Sequence, residues 1–512
     1  MRLPTFLLRA GLLLQIGSGQ VLGTDAHLLR HSQDHIDCPS GSRIQRELGP
    51  RLSGAASILA PSSPGWHQAL VRATSPRINP AFVTSVEPAT EQDVQETIKY
   101  SNHIGVPFLA VTGTHGWPTT LNDVQGGIQI NMRRMNHIEL NRDGKTATVG
   151  GGVMQHEIVR SLSEQGKMAV TGLCECVSVA GPLLGGGHSM LQGRRGFAAD
   201  NLASARLVLA NGSAVTVSAE SSPDLFWAIR GAGHNFGIVT SLEVDVYDVE
   251  KTWTMIVLTF TQDKLEIYFS TWNRLEAEHT DVGLLVLNGI FARNPVLDSD
   301  HPLVNLQIFY EGENDVADKY TSAFFALGPV LNTTVKDIKY GDLYDVGGFG
   351  LTSPVCRKNE NILGYPNSLD RWDPDAMRAG FDVFSDLTAP EKFATSAWLL
   401  ESYGRKAVAA VPAAENAVAP EERSLHLLSS PILWWAGDDE QDRERAELYG
   451  KRMQEAVRRG NPALPHTYLN YAVGHEELPE VYGRDVARLA KLKRLKKMYD
   501  PNNRFGFYAP IR

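Results

Sequence analysis

The 512-residue chain holds only four cysteines, Cys38, Cys174, Cys176 and Cys356. So few thiols cannot staple a chain of this length, and its core must therefore be hydrophobic. A basic excess is also lacking: 49 Lys and Arg stand against 58 Asp and Glu, for a formal net charge of -9. A surface that tracks phosphates needs clustered positive charge, so nucleic acid is not an expected partner. Past the N-terminus no run approaches the roughly 18 uncharged apolar residues of a bilayer span, so no stable membrane association is expected.

Several catalytic signatures are missing as well. His156-Glu157 and His475-Glu476 lack the second histidine of a zincin helix, and no P-loop Gly-Lys-Ser/Thr follows a glycine loop. Gly187-His188-Ser189-Met190-Leu191 lacks the closing glycine of a nucleophile elbow. Cys174-Glu175-Cys176 is not Cys-x-x-Cys and has no partner pair, so no metal site is expected. Its sulfurs could form a redox pair, leave one reactive thiol, or be inert core residues.

What is present is the composition of a compact globular protein, 43% hydrophobic and 21% charged, with 46 Gly and 27 Pro. Residues 1–23 place Arg2 before a short apolar core, Phe6 to Ile16, and then a mostly small or polar stretch to Gly23, the pattern of a secretory signal. Secretion or the secretory pathway is the expected localisation, with Asn211 and Asn332 as glycosylation acceptors. Residues 24–65 read as an irregular extension. From Phe82 onward, short strands, a Thr90-capped helix and glycine turns indicate an α+β domain over 66–250. Asn211-Gly212 between two apolar runs predicts a hairpin. Longer strands at Thr252 to Phe260, Gly283 to Phe291 and Leu303 to Tyr310 suggest a second, sheet-based domain over 251–464. Residues 465–512 carry a predicted strand, Thr467 to Val473, and a basic helix ending at Tyr499.

Three glycine loops could cradle a phosphate-bearing cofactor: Val111 to Trp117, Gly181 to His188 and Gly231 to Gly237. The third is not a dinucleotide fingerprint, because its last glycine comes one residue late. Ile238 to Tyr247 then alternates as a strand, where that fingerprint needs a helix.

The run from Gly172 to His188, with Asp200-Asn201, Arg230 to Thr240, Tyr468 to Tyr471 and Tyr499 to Phe505, resembles the berberine bridge enzyme-like oxidases. These are flavoproteins of the vanillyl alcohol oxidase and p-cresol methylhydroxylase family, and the motif wording is similar to that of fungal members associated with secondary metabolism. The resemblance implies a two-part FAD-binding domain, 66–250 and 465–512, interrupted by an antiparallel-sheet substrate domain. It implies that FAD is tethered at His115 of Thr112-Gly113-Thr114-His115-Gly116, where Thr114 replaces the usual second glycine. It adds Cys174 as a second tether, Cys176 as a residue that packs or pairs, and Val177 as a residue of oxygen-reactive members. Further cofactor contacts are expected at Gly181, Gly185, Gly186 and Gly187, at Asp200 and Asn201, at Gly237, Ile238 and Val239, and at Asn470 and Asn503.

Physical chemistry is consistent with those roles. Imidazole and thiolate can add to an electrophilic oxidised flavin, and two tethers raise its potential. The resemblance implies Tyr471 as the catalytic base, with Tyr468 as the alternative, and the role calls for a phenol of depressed pKa. The expected activity is a monomeric FAD oxidase that passes a hydride from an alcohol, sugar or metabolite to flavin, with oxygen returning as hydrogen peroxide. Two alternatives stay open: a cyclase that shapes a reactive metabolite, and a non-catalytic flavin- or ligand-binding protein.

Overall fold

Thr90 accepts from the Asp93 N–H while Asp93 accepts from the Thr90 N–H, and this reciprocal cap opens the helix Glu91–Ile104. The helix links two parallel strands of the first sheet in a computed structural model that describes residues 40–512, apart from 75, 279–284, 314 and 462. The signal reading at 1–23 lies outside the described residues. In the first sheet β1 (Ser57–Leu59) pairs antiparallel with β2 (Phe82–Glu87), while β3 (Phe108–Val111) and β2 both run parallel to β4 (Gly127–Asn131). The described part of the expected extension is therefore not irregular. Ile44 and Leu48, one helical turn apart on Gly41–Leu48, are fully buried, and β1 supplies a sheet edge.

The second sheet has β5 (Ile138–Leu140), β6 (Thr146–Gly150), β8 (Leu202–Val208), β9 (Ala214–Ser218) and β10 (Ile238–Asp248) in the order β5-β6-β10-β8-β9, with β7 (Lys167–Ala169) also on β10. The Asn211-Gly212 hairpin joins β8 to β9, and Gly212 takes φ +82°, which a side chain would resist. β10 is the strand expected after the Gly231 loop, and it buries alternate residues over most of its length.

A third, antiparallel sheet follows: β11 (Trp253–Phe260), β12 (Leu285–Ala292), β13 (Leu303–Glu311), β14 (Leu331–Ile338), β15 (Asn361–Gly364), β16 (Asn367–Leu369), β17 (Ala397–Tyr403) and β18 (Leu427–Trp435). Strand alternation divides its faces. Leu258, Leu287, Phe291, Leu306, Ile308, Trp398 and Leu400 pack with residues of the helices Leu265–Glu278, Asp315–Phe325, Pro374–Thr388 and Glu440–Arg459. On the opposite face Met255, Val286, Phe309 and Tyr403 join the core of the first half, and Leu399 and Glu401 share that face.

After this insertion the chain returns to the first half. Lys496, buried on the helix Val486–Tyr499, donates to the Asn235 carbonyl at 3.0 Å and pairs with Asp500 at 2.6 Å. Asn235 in turn donates to Tyr482 Oη and the Ala509 carbonyl. The expected strand from Thr467 to Val473 is absent; a 3₁₀ turn, Leu469–Tyr471, stands there instead. Trp117 Nε1 donates to the Tyr471 carbonyl at 3.1 Å and Thr119 N to the Val473 carbonyl at 2.8 Å, so no neighbouring strand takes up this backbone. The turn matters for the site, because a strand would send Tyr468 and Tyr471 to opposite faces. A 3₁₀ turn brings residues three apart onto one side, and the two rings lie 5.1 Å apart.

Candidate active site

Two loops of the first half meet backbone to backbone. A Cβ on Gly113 would stand 3.0 Å from both the Cys176 carbonyl oxygen and the Ser178 nitrogen, so glycine is what permits this approach. Thr114 takes φ +52°, a conformation that costs a side chain about 1–2 kcal/mol. Its hydroxyl offsets this by donating to the Val71 carbonyl at 3.1 Å, and Lys358 Nζ donates to it at 3.0 Å. The threonine thereby keeps the geometry that a glycine would adopt freely.

His115 follows on the same loop. Its Nε2 lies 2.9 Å from the Val355 carbonyl, and because a carbonyl can only accept, Nε2 carries the hydrogen and Nδ1 keeps its lone pair. Burial, and then the Lys358 cation, hold the imidazole below its ordinary pKa, so the neutral nucleophilic form persists. On the second loop a turn from the Val177 N–H to the Cys174 carbonyl separates the two sulfurs. Cys174 remains free and lines the cavity, while Cys176 is disulfide-bonded to Cys356 of the insertion. Burial and the nearby Glu401 push the Cys174 thiol up to about 12, so the expected ready thiolate is not what this environment favours.

Across the cavity, β17 and the C-terminal turn supply the titratable wall. Tyr471 Oη donates to Glu401 Oε2 at 2.8 Å and Tyr403 Oη to Glu401 Oε1 at 2.6 Å. Burial raises the Glu401 carboxyl above the usual range, although the hydrogen bonds from the two phenols oppose this. Tyr471 is raised well above an ordinary phenol by burial and by Glu401. This corrects the expected depressed pKa: a carboxylate neighbour opposes phenolate formation, and the pair must act together. Tyr468 also lines the cavity, but its hydroxyl accepts from the His188 N–H at 3.1 Å and from Asn470 Nδ2 at 2.6 Å.

His188 stacks on Tyr403 with ring centroids 5.3 Å apart, and its ring nitrogens meet Gln192 Oε1 at 2.8 Å and Glu422 Oε1 at 2.7 Å. His466 reaches the other Glu422 oxygen at 2.7 Å. Burial alone would raise Glu422, but these two histidines outweigh it and bring it down to about 2.

The resulting cavity has a volume of about 340 Å³. Gly113, Thr114, His115, Gly116, Cys174, Val177, Gly181, Gly237, Ile238, Val239, Asn470, Tyr468 and Tyr471 all line it. Gly185, Gly186, Gly187, Asp200, Asn201 and Asn503 do not, and these six expected contacts have structural partners instead. A Cβ on Gly185 would collide with the Asn470 amide, one on Gly186 would touch Val418 and one on Gly187 would press on Ala198. Asp200 pairs with Arg423 at 2.7 Å and accepts from Asn416. Asn201 donates to the Arg195 and Phe197 carbonyls and accepts from Tyr247. Asn503 takes φ +50° in the turn closed by its N–H to the Asp500 carbonyl. Sequence reasoning missed Glu401, whose one local signal is a carboxylate inside the apolar run Ala397 to Tyr403.

The residues fit a flavin. Close-packed glycine backbone lines one wall, and a neutral imidazole and a thiol open into the same space. A two-part α+β module closed by an inserted antiparallel sheet defines the p-cresol methylhydroxylase class of FAD-binding folds. A family model described as an FAD binding domain matches residues 84–218. The chain is 35% identical over 472 residues to the FAD-linked oxidoreductase chyH of Penicillium rubens, covering 91% of this chain and 93% of that one. It belongs to the berberine bridge enzyme-like FAD-linked oxidoreductases. Among solved structures, a Physcomitrella patens BBE-like 1 variant superposes with TM-score 0.77 at 21% identity, covering 93% of this chain and all of that one. Glucooligosaccharide oxidase of Acremonium strictum, described with 6-S-cysteinyl, 8α-N1-histidyl FAD, gives 0.75 at 20% identity, covering 91% and 99%.

Proposed function

We propose that the protein is an oxidase that removes a hydride from the carbinol carbon of a small-molecule alcohol and uses oxygen as the final acceptor, releasing hydrogen peroxide. The observation that carries this reading is the Tyr471–Glu401 hydrogen bond in the cavity wall. Bound FAD supplies the two-electron acceptor, which no side chain here can replace. Tyr471 Oη takes the substrate hydroxyl proton as its own proton passes to Glu401. Tyr471 need not exist as a free phenolate, and its raised pKa makes the Glu401 carboxylate a better proton acceptor than an ordinary carboxylate. Phe349, Leu399 and Tyr403 exclude water around this pair and turn an apolar surface toward the substrate.

His115 and Cys174 are the proposed tethers, the first through Nδ1. The Acremonium oxidase carries both kinds of linkage on its flavin, which supports this reading. Cys174 would need a base to take its proton, and Glu401 is the nearby carboxylate. Entry into the secretory pathway is proposed from the residue pattern at 1–23, and Asn211 and Asn332 are both exposed.

The test is direct. Acid-precipitated protein is expected to stay yellow, with flavin on the peptide that contains His115. A panel of alcohols, sugars and aromatic metabolites is then screened for peroxide release. Loss of all flavin on precipitation rejects the tethers; reduction by substrates without peroxide formation in air rejects the oxidase.

A further inference from the structure

The Cys176–Cys356 disulfide joins residues 180 apart in sequence, and its surroundings give it a role beyond holding two domains together. Cys176 belongs to the loop that carries Cys174. Cys356 closes a three-residue 3₁₀ turn, Pro354–Cys356, in a stretch of the insertion without strand structure. The turn's own backbone hydrogen bonds are local, Cys356 N to the Ser353 carbonyl and Arg357 N to the Pro354 carbonyl, while backbone bonds to the first half lie farther out, at Phe349 with Glu175, Asn359 with Arg72 and Glu360 with Ala73. Yet this turn presents the Val355 carbonyl to His115 Nε2, one residue from the bridge. Two residues beyond the bridge, Lys358 donates to the Gly113 carbonyl and the Thr114 hydroxyl of the histidine loop.

We propose that this disulfide is a positioning device for flavin attachment: by fixing the Val355 carbonyl on Nε2, it holds His115 as the tautomer whose Nδ1 can attack. The proposal rests on the reading of His115 as a tether. A neutral imidazole has one hydrogen, and its location decides which nitrogen is nucleophilic. With the turn released, the hydrogen bond of the ring to the His115 backbone acts without that competitor, and the Nε2 hydrogen is no longer held in place. Attachment forms a bond from Nδ1 to the flavin 8α carbon and breaks a C–H bond there. The electron pair of that C–H bond is left as a two-electron reduction of the ring system. Molecular oxygen then accepts the pair, with the 8α proton and the imidazole proton, as hydrogen peroxide.

The experiment compares full-length wild-type protein with Cys176→Ser/Cys356→Ser and with Cys176→Ala/Cys356→Val, the second pair keeping apolar volume in place of the bridge. Flavin per chain is measured before and after acid precipitation, and the attached ring nitrogen is identified by NMR of the flavinyl peptide. The expected result is FAD bound by both variants, a covalent share at least fivefold lower, and Nε2-linked product beside Nδ1-linked product. A general loss of stability would not move the ring nitrogen. Variants with the wild-type covalent share, all through Nδ1, overturn the proposal while leaving the tether reading intact. Variants that bind no FAD make the bridge a requirement of the fold and overturn the positioning role. Wild-type protein without flavin on His115 overturns the reading and the proposal together.

Discussion

The two walls of the cavity are built on different principles. The wall from the first half is mostly backbone: glycines brought into contact, with the His115 and Cys174 side chains among them. The wall from β17 and the C-terminal turn is made of side chains, with Glu401 between two phenols. Backbone amides and carbonyls do not titrate in the working range, so the first wall can hold a cofactor unchanged across pH. The second wall is buried and ionisable, which makes it responsive to pH and suited to moving a proton. Binding and chemistry should therefore separate under mutation.

The largest expected effect tests that separation. Tyr471→Phe or Glu401→Gln should lower flavin reduction by substrate roughly 10²- to 10⁴-fold, with flavin content and reoxidation in air unchanged, as followed by stopped-flow absorbance. Equal slowing of both half-reactions would merge the two walls into one cooperative unit. His115→Ala should come next. If the proposed histidyl tether is lost, FAD should stay bound but become extractable by acid, and reduction should slow as the flavin potential falls.

The pH profile is a finer probe. Glu401 accepts a proton only when ionised, and burial raises its pKa above the ordinary carboxylate range. The reduction rate should hence rise as pH increases through that raised value and fall below it, and Glu401→Gln should flatten this limb. FAD retention over the same range should stay level. The smallest effect is assigned to Thr114→Gly. Relief of the left-handed conformation and loss of the Val71 hydrogen bond oppose each other, so stability should change by less than about 1 kcal/mol, read as a shift of a few degrees or less in Tm.

The backbone wall was far more legible in sequence than the side-chain wall. Glycine loops, the Asn211-Gly212 hairpin and the Thr90-capped helix are local features, and local features leave local patterns. Glu401 and Tyr471 are 70 residues apart in sequence and meet only through the third sheet and the returning C-terminal segment. The run from Thr467 to Val473 has the composition of a strand, but its backbone is taken up by non-local partners, among them Trp117, Thr119 and Glu480, and by its own turn. Cys176 and Cys356 lie too far apart for any local pattern to mark them as partners. The six expected contacts that do not line the cavity pack or bond within the loops, as Gly185 does against Asn470 and Asp200 with Arg423.

That returning segment also sets an order of events on the ribosome. The histidine loop is synthesised more than 350 residues before Tyr471 closes the other side of the pocket, and chains fold largely in the order they emerge. A nascent chain can form the glycine wall early, but it has no finished cavity until the last 50 or so residues have been added. On that order, enclosure of the pocket is a late step, and a chain terminated before Tyr471 lacks one wall of the cavity.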